Sequence, residues 1–88
     1  MNEKSFTLEI LTPGRTVFKG PVTSLVAPAA LGYLGVLANH APLTTTLTPG
    51  KITWKDMNGQ AAALHCAGAG FLQVHHNQVT LLADEITS

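Results

Sequence analysis

The sequence predicts an all-β fold, either a sandwich or a barrel, and three observations lead to this class. Apolar and polar residues alternate in short runs, which is the period of a strand with one buried face. Glycine and proline interrupt these runs at intervals of roughly 8–12 residues, as in small β-domains. No segment of useful length has the 3.6-residue period of an amphipathic helix. The 88 residues are expected to form one domain, residues 1–88.

Five short strands are predicted in the first half of the chain. Pro13-Gly14 separates the first two, because proline suits the second position of a turn and glycine the third. Gly20-Pro21 ends the second strand and Pro28 ends the third, since proline cannot donate a hydrogen bond within a sheet. The predicted strands are residues 6–10, 17–18, 22–27, 33–37 and 43–48.

The second half adds four strands and the strongest hairpin signal in the chain. Asn58-Gly59 predicts a type I′ turn, because both central residues of that turn need a positive φ. A last hairpin is predicted around residues 76–78. The strands are residues 52–54, 61–66, 71–75 and 79–83. The total of roughly nine or ten short strands is typical of a sandwich or barrel.

Charge is scarce and unevenly placed. Only five Lys or Arg and five Asp or Glu occur, which is 11% of the residues against roughly 25% in an average domain. No such residue occurs from Gly20 through Gly50 or from Met57 through Ala83. The zero net charge argues against binding to nucleic acid, which requires a positive patch, and against a polybasic membrane-surface protein. A solitary soluble domain usually carries more charge.

Targeting and membrane signals are weak. Met1 to Lys4 is polar and is not followed by the apolar region of a secretory signal. The most apolar run, residues 25–38, is shorter than the roughly 20 residues of a membrane-spanning helix. The single Cys66 rules out an internal disulfide and fits a reducing compartment.

The histidines do not form a metal-binding pattern. His75-His76 lies at the expected hairpin tip, and adjacent strand residues point to opposite faces, so the pair should not chelate one ion. His65 and Cys66 are adjacent in the same way, and Cys66 is predicted to be a small core residue. No metal-binding residues are expected.

Catalytic and cofactor patterns are also lacking. Asp84 and Glu85 read as a solvated end, and Gly68-Ala69-Gly70 has neither the helix nor the lysine of a phosphate loop. Lys55 lies near a predicted hairpin, as in biotin or lipoate carriers, but without the flanking residues of an attachment turn. No catalytic residue and no cofactor are expected, and a free-standing interaction or carrier domain remains the alternative.

The segment GYLGVLANHAPL, residues 32–43, resembles the G-x-L-G-(I/V)-x-x-x-H-A-P-L signature of the epsilon subunit of F-type ATP synthases. The opening hairpin with Phe18 and Gly20, the L-x-P-G motif at residues 47–50 and the closing QVTLLAD at residues 78–84 follow in the family's order. Two departures occur. Ala69-Gly70 replaces the usual Gly-Gly pair, and the loop of residues 29–33, often polar in the family, is uncharged.

The resemblance implies a ten-stranded antiparallel sandwich of two five-stranded sheets. It implies a non-catalytic subunit of the central stalk that couples the gamma subunit to the membrane ring of c subunits during proton-driven ATP synthesis. Residues that align toward the ring are Leu31, Gly32, Tyr33 and His40, and those that align toward gamma are Thr12 and Thr45. Because the uncharged loop carries Tyr33, the ring contact should be apolar or aromatic.

The resemblance also bears on location and on the end of the chain. The cytoplasmic face of a bacterial plasma membrane is expected, with association only through the complex, and the thylakoid is the alternative. Typical family members continue as a two-helix hairpin where this sequence ends at Ser88. A naturally short form without ATP binding is expected, with a truncated chain as the other possibility.

Overall fold

The computed structural model describes residues 5–88, which fold into strands and turns. Met1 to Lys4, predicted to be a polar start, lie outside the described residues. Within residues 5–88 no helix is long and apolar enough to cross a membrane. The all-β class is confirmed. The strands are β1 Phe6–Thr12, β2 Arg15–Ala29, β3 Gly32–Leu37, β4 Leu43–Leu47, β5 Gly50–Asp56, β6 Ala61–His75 and β7 Gln78–Thr87.

Residues 5–88 form seven strands where nine or ten were predicted, because two of the seven, β2 and β6, are long. The prediction that Gly20-Pro21 and Pro28 end strands was wrong, since β2 continues through both. β2 changes partners near Pro21, pairing with β1 before this point and with β3 and β5 after it. Similarly, β6 joins the predicted strands 61–66 and 71–75. Breaks in the local pattern therefore mark changes of partner.

The strands form one continuous hydrogen-bonded sheet in the order β1-β7-β6-β4-β2-β3, with β5 joining β2 to β6. Because β1 also pairs with β2, the sheet closes on itself around the core. Two separate five-stranded sheets are not found among residues 5–88, because the long strands β2 and β6 connect the layers. The fold is not wholly antiparallel either, since β1 and β7 run parallel.

The predicted alternation of β1 fills the core. Phe6, Leu8 and Ile10 are buried, and Thr7 and Glu9 between them are half-buried. Complete burial of a side chain such as Leu8 contributes roughly 1.5–3 kcal/mol. The largest fully buried side chains are Leu8, Ile10, Leu25, Ile52, Leu72, Leu81, Val22, Val36 and Val79. One shared core therefore holds together the strands that carry the exposed loops.

The type I′ turn lies in a different hairpin from the predicted one. Of the Asn58-Gly59 pair only Gly59 has a positive φ, 81°, and the Gly59 N–H donates to the Asp56 carbonyl at 3.0 Å. This is a three-residue loop with a glycine bulge, and the Asp56 carboxylate accepts the Asn58 N–H at 2.8 Å. His76 and Asn77 instead have φ of 52° and 59°, which is the type I′ pattern.

A bulge in β6 explains the glycines before the last hairpin. The β6–β7 register shifts between Ala67 and Gly70, and Gly68 has a φ of 77°. A Cβ added at Gly70 would overlap the Leu82 carbonyl oxygen, so only glycine fits there. Asp84, read from the sequence as a solvated end, accepts the Ala69 N–H at 3.2 Å and holds the bulge.

Candidate docking surface

The β2–β3 turn and the first two residues of β3 carry three of the predicted interface residues. Leu31 lies in the turn, Gly32 and Tyr33 begin β3, and the three residues together are called the tip. Leu31 is fully exposed, at 103%, and Tyr33 is 62% exposed. Gly32 has a φ of 119°, which a residue with a Cβ rarely adopts. The turn geometry therefore presents two large side chains to solvent on either side of a glycine.

Tyr33 is also part of the scaffold. Its hydroxyl accepts the Lys51 N–H at 3.2 Å, which ties β3 to the start of β5. Gly50 makes this contact possible, because a Cβ there would lie 2.9 Å from both the Tyr33 hydroxyl and the Pro28 Cβ. The hydroxyl is thus held by the protein while much of the ring remains accessible.

A small apolar groove adjoins the tip. Its volume is about 190 Å³, and its lining includes Leu34, Leu43 and Thr45. Burial alternates along β4. Thr44 and Thr46 are exposed, whereas the side chains of Leu43, Thr45 and Leu47 are half-buried or buried. Thr45, predicted to face gamma, therefore lies beside the tip, which is predicted to face the ring, and not on a separate surface.

His40 lies at the other end of β3 from the tip. The six residues of β3 span about 20 Å, so the structure does not bring His40 together with the other three predicted ring residues. His40 is half-buried, and its Nδ1 is 2.8 Å from the Ala41 carbonyl oxygen. It borders a cavity of about 350 Å³ that is also lined by Pro42 and His76.

Hydrogen bonds between two asparagines connect the loops at this second end. The Asn39 N–H donates to the Asn77 Oδ1 at 2.6 Å, and the Asn77 Nδ2 donates to the Asn39 Oδ1 at 3.0 Å. The Thr7 N–H donates to the Asn77 carbonyl at 2.9 Å. Asn39 has a φ of 67°, in the left-handed region that asparagine tolerates better than most residues. This Asn39–Asn77 clasp joins β1, the β3–β4 loop and the β6–β7 turn, and no sequence pattern had indicated it.

Thr12 occupies a third location. It is the last residue of β1, is half-buried, and pairs with Arg15 across the Pro13-Gly14 turn. The predicted turn is confirmed by the positive φ of Gly14, 96°. Thr12 and Thr45 lie on strands that are not paired with each other. The two predicted gamma-facing residues are therefore not neighbours in the sheet.

The side chains with reactive or metal-binding chemistry are dispersed. The predicted burial of Cys66 is confirmed; its thiol donates to the Thr48 carbonyl at 3.3 Å, and burial raises its pKa. His75 and His76 are exposed at the turn, with ring centroids 4.2 Å apart in an edge-to-face arrangement. Across residues 5–88, no three His, Cys, Asp or Glu side chains could hold a metal ion.

The fold defines a class, that of small closed β-domains, and two large side chains, Leu31 and Tyr33, are exposed at one of its turns. The family described as ATP synthase, Delta/Epsilon chain, beta-sandwich domain matches residues 5–88. The chain belongs to this family.

Relatives and solved structures agree with this membership. An ATP synthase epsilon chain of Pelotomaculum thermopropionicum is 46% identical over 84 residues, which cover 96% of this chain and 61% of the relative. That of Chlorobaculum tepidum is 36% identical over 86 residues, covering 98% of this chain and 97% of the relative. A chain in the mitochondrial ATP synthase structure of Euglena gracilis has the same fold, with a TM-score of 0.89 and 22% identity over 94% of this chain and 52% of that one. The chain thus spans about three fifths of one of these epsilon chains and nearly all of the other.

Proposed function

We propose that this protein is a non-catalytic rotor subunit of the central stalk of an F-type ATP synthase, coupling the gamma subunit to the c-subunit ring. The match of residues 5–88 to the family carries the proposal. The closed sheet supports it, because a close-packed interior resists deformation and can transmit torque between two partners. The uncharged tip supports it as well, since the cores of stable interfaces are depleted of charge.

The tip supplies the proposed contact with the ring. Leu31 is the best anchor, because its side chain is fully exposed and makes no contribution to the core. Tyr33 adds aromatic area, and Gly32 sets the turn. His40 remains a prediction for the ring side; since it lies about 20 Å from the tip by strand length, it would make a separate contact.

Thr12 and Thr45 remain predictions for the gamma side. Thr45 borders the groove beside the tip, so the gamma and ring contacts would adjoin there. Thr12 would meet gamma at the β1–β2 turn. Association with the membrane would be peripheral and through the complex, on the cytoplasmic face of a bacterial plasma membrane, with the thylakoid as the alternative.

Binding to gamma tests the proposed role directly. The 88-residue chain, mixed with the gamma subunit of its own organism at micromolar concentration, is expected to form a complex on size-exclusion chromatography. The chain alone is expected to hydrolyse no ATP. A failure to bind gamma under these conditions would remove the basis of the proposal.

The ring contact is tested with Leu31→Asp in the assembled enzyme. A charge at this exposed position should weaken the hold of the stalk on the ring and lower ATP-driven proton pumping in vesicles, and it should affect pumping more than binding to gamma. Met57→Asp is the matched control, because Met57 is 51% exposed in the β5–β6 turn. Normal pumping with Leu31→Asp, or an equal loss with Met57→Asp, would contradict the role of the tip.

A further inference from the structure

β3 has one unpaired edge. Among the described strands it pairs only with β2, and it is the last strand in the sheet order. Exposed edges are normally protected by lysine, proline, a bulge or a covering segment, because their free N–H and C=O groups can pair with another chain. The sequence of β3, GYLGVL, contains neither charge nor proline, and its register with β2 has no shift. This edge is chemically open to another strand.

The side chains of β3 alternate between the outer and the inner face of the sheet. Tyr33, Gly35 and Leu37 are exposed on the outer face, with Leu37 at 64%, whereas Val36 is buried and Leu34 is half-buried. A Cβ added at Gly35 would meet no atom within 4 Å. The outer face of the edge therefore consists of two large apolar side chains separated by open space.

This pattern is self-complementary about Gly35. In an antiparallel pair, residues directly opposite each other share a face. A twofold axis at Gly35 would place Gly35 against Gly35 of a second copy and Tyr33 against Leu37 of that copy, twice. On the inner face Leu34 would meet Val36 of the second copy.

The surroundings of the edge favour the same occupant. No charged residue occurs within β3 or in the strand segment of β2 that pairs with it, so the paired edges themselves would carry no like charges. The apolar groove lined by Leu34 and Leu43 lies beside the edge, and a second copy would extend its apolar wall. A strongly acidic or basic partner would find no complementary charge on this strand.

We infer that two unassembled copies of this chain pair through their β3 edges in a symmetric, antiparallel dimer. Each copy contributes one strand of six residues, so the interface is small and the dimer is weak, as expected for contacts below the standard interface size. Tyr33 belongs both to this interface and to the tip, so dimerisation and docking through the tip exclude each other. The dimer would shield the exposed edge until the chain joins its assembly.

Sedimentation over a concentration series tests the dimer. The 88-residue chain should shift from 9.2 kDa toward twice that mass as its concentration rises. Leu37→Lys should raise the dissociation constant at least tenfold, because it puts a charge opposite Tyr33 of the second copy. Met57→Lys, an exposed substitution outside the edge, should leave it unchanged. A monomer at every concentration, or a dimer unaffected by Leu37→Lys, would overturn the inference.

A cross-link tests the register without depending on affinity. Gly35→Cys should form a disulfide-linked dimer on mild oxidation, because cross-strand Cα atoms lie about 4.5–5.5 Å apart, within disulfide range. The open space at Gly35 lets the substitution fold. Val26→Cys is the control, since Val26 is exposed on β2 directly opposite Gly35 and away from the edge. Cross-linking of Gly35→Cys no faster than that of Val26→Cys would exclude this register and with it the proposed dimer.

Discussion

The two ends of β3 differ in how their exposed groups are satisfied. At one end the tip presents Leu31 and Tyr33 to solvent, and within residues 5–88 its only side-chain hydrogen bond is the one to the Tyr33 hydroxyl. At the other end the Asn39–Asn77 clasp satisfies its polar groups internally, through reciprocal hydrogen bonds between two loops. The polar groups at the clasp are therefore paired within the chain, whereas the large side chains of the tip remain exposed to solvent.

This difference separates stability from docking. The clasp joins distant parts of the chain, so changes there should act on the free energy of unfolding. The tip contributes little to the core, so changes there should act on binding to partners. Tyr33 lies between these extremes, because its ring is exposed and its hydroxyl is bonded to Lys51.

The largest effect is expected at the clasp. Asn77→Ala removes both side-chain hydrogen bonds with Asn39 and places alanine at a φ of 59°. The free energy of unfolding should fall by about 2–4 kcal/mol, measured by urea denaturation with the fluorescence of Trp54, the single tryptophan.

Asn77→Gly is the control for the backbone contribution. Glycine adopts a positive φ without strain but makes no side-chain hydrogen bond. Its cost should be about 1–2 kcal/mol, smaller than that of alanine. If neither substitution changed stability, the clasp would not be a stabilising feature and the contrast between the two ends would disappear.

An intermediate effect is expected at Tyr33. Tyr33→Phe removes the hydroxyl that accepts the Lys51 N–H but keeps the ring. Stability should fall by about 0.5–1.5 kcal/mol, the net contribution of one hydrogen bond, while binding through the tip is retained. Unfolding curves and ring association measured on the same variant check both parts; a loss of binding with unchanged stability would reverse the assignment of the hydroxyl.

The smallest effect on folding is expected at Leu31. Leu31→Ser changes a fully exposed side chain, so the free energy of unfolding should stay within about 0.5 kcal/mol of the unsubstituted chain. A larger destabilisation in the urea series would show that the tip is also part of the packed structure. With the expected result, an unchanged free energy of unfolding, a substitution of Leu31 would report on docking alone, whereas one of Tyr33 would also change stability.

The resemblance grouped Leu31, Gly32 and Tyr33, and the structure has all three at the β2–β3 turn, but their geometry could not be predicted. Composition showed only that the surrounding segment is uncharged. The neighbours of Thr45 were not visible, because alternation tells which residues share a face of β4 but not which loop packs beside that face. The clasp was missed because Asn39 and Asn77 are far apart in sequence, although an Asn in a loop is a residue that tolerates positive φ.

The sequence by itself determined the all-β class, the family and the turn at Pro13-Gly14. These features depend on local alternation, local backbone preference or ordered motifs, and each is written in consecutive residues. The tertiary structure decided that β2 passes through Pro21 and Pro28, that β1 and β7 run parallel, and that the type I′ turn is at His76-Asn77. These features depend on which strands pair and on the loop length that the pairing leaves, and pairing between distant segments is fixed only when the whole core forms.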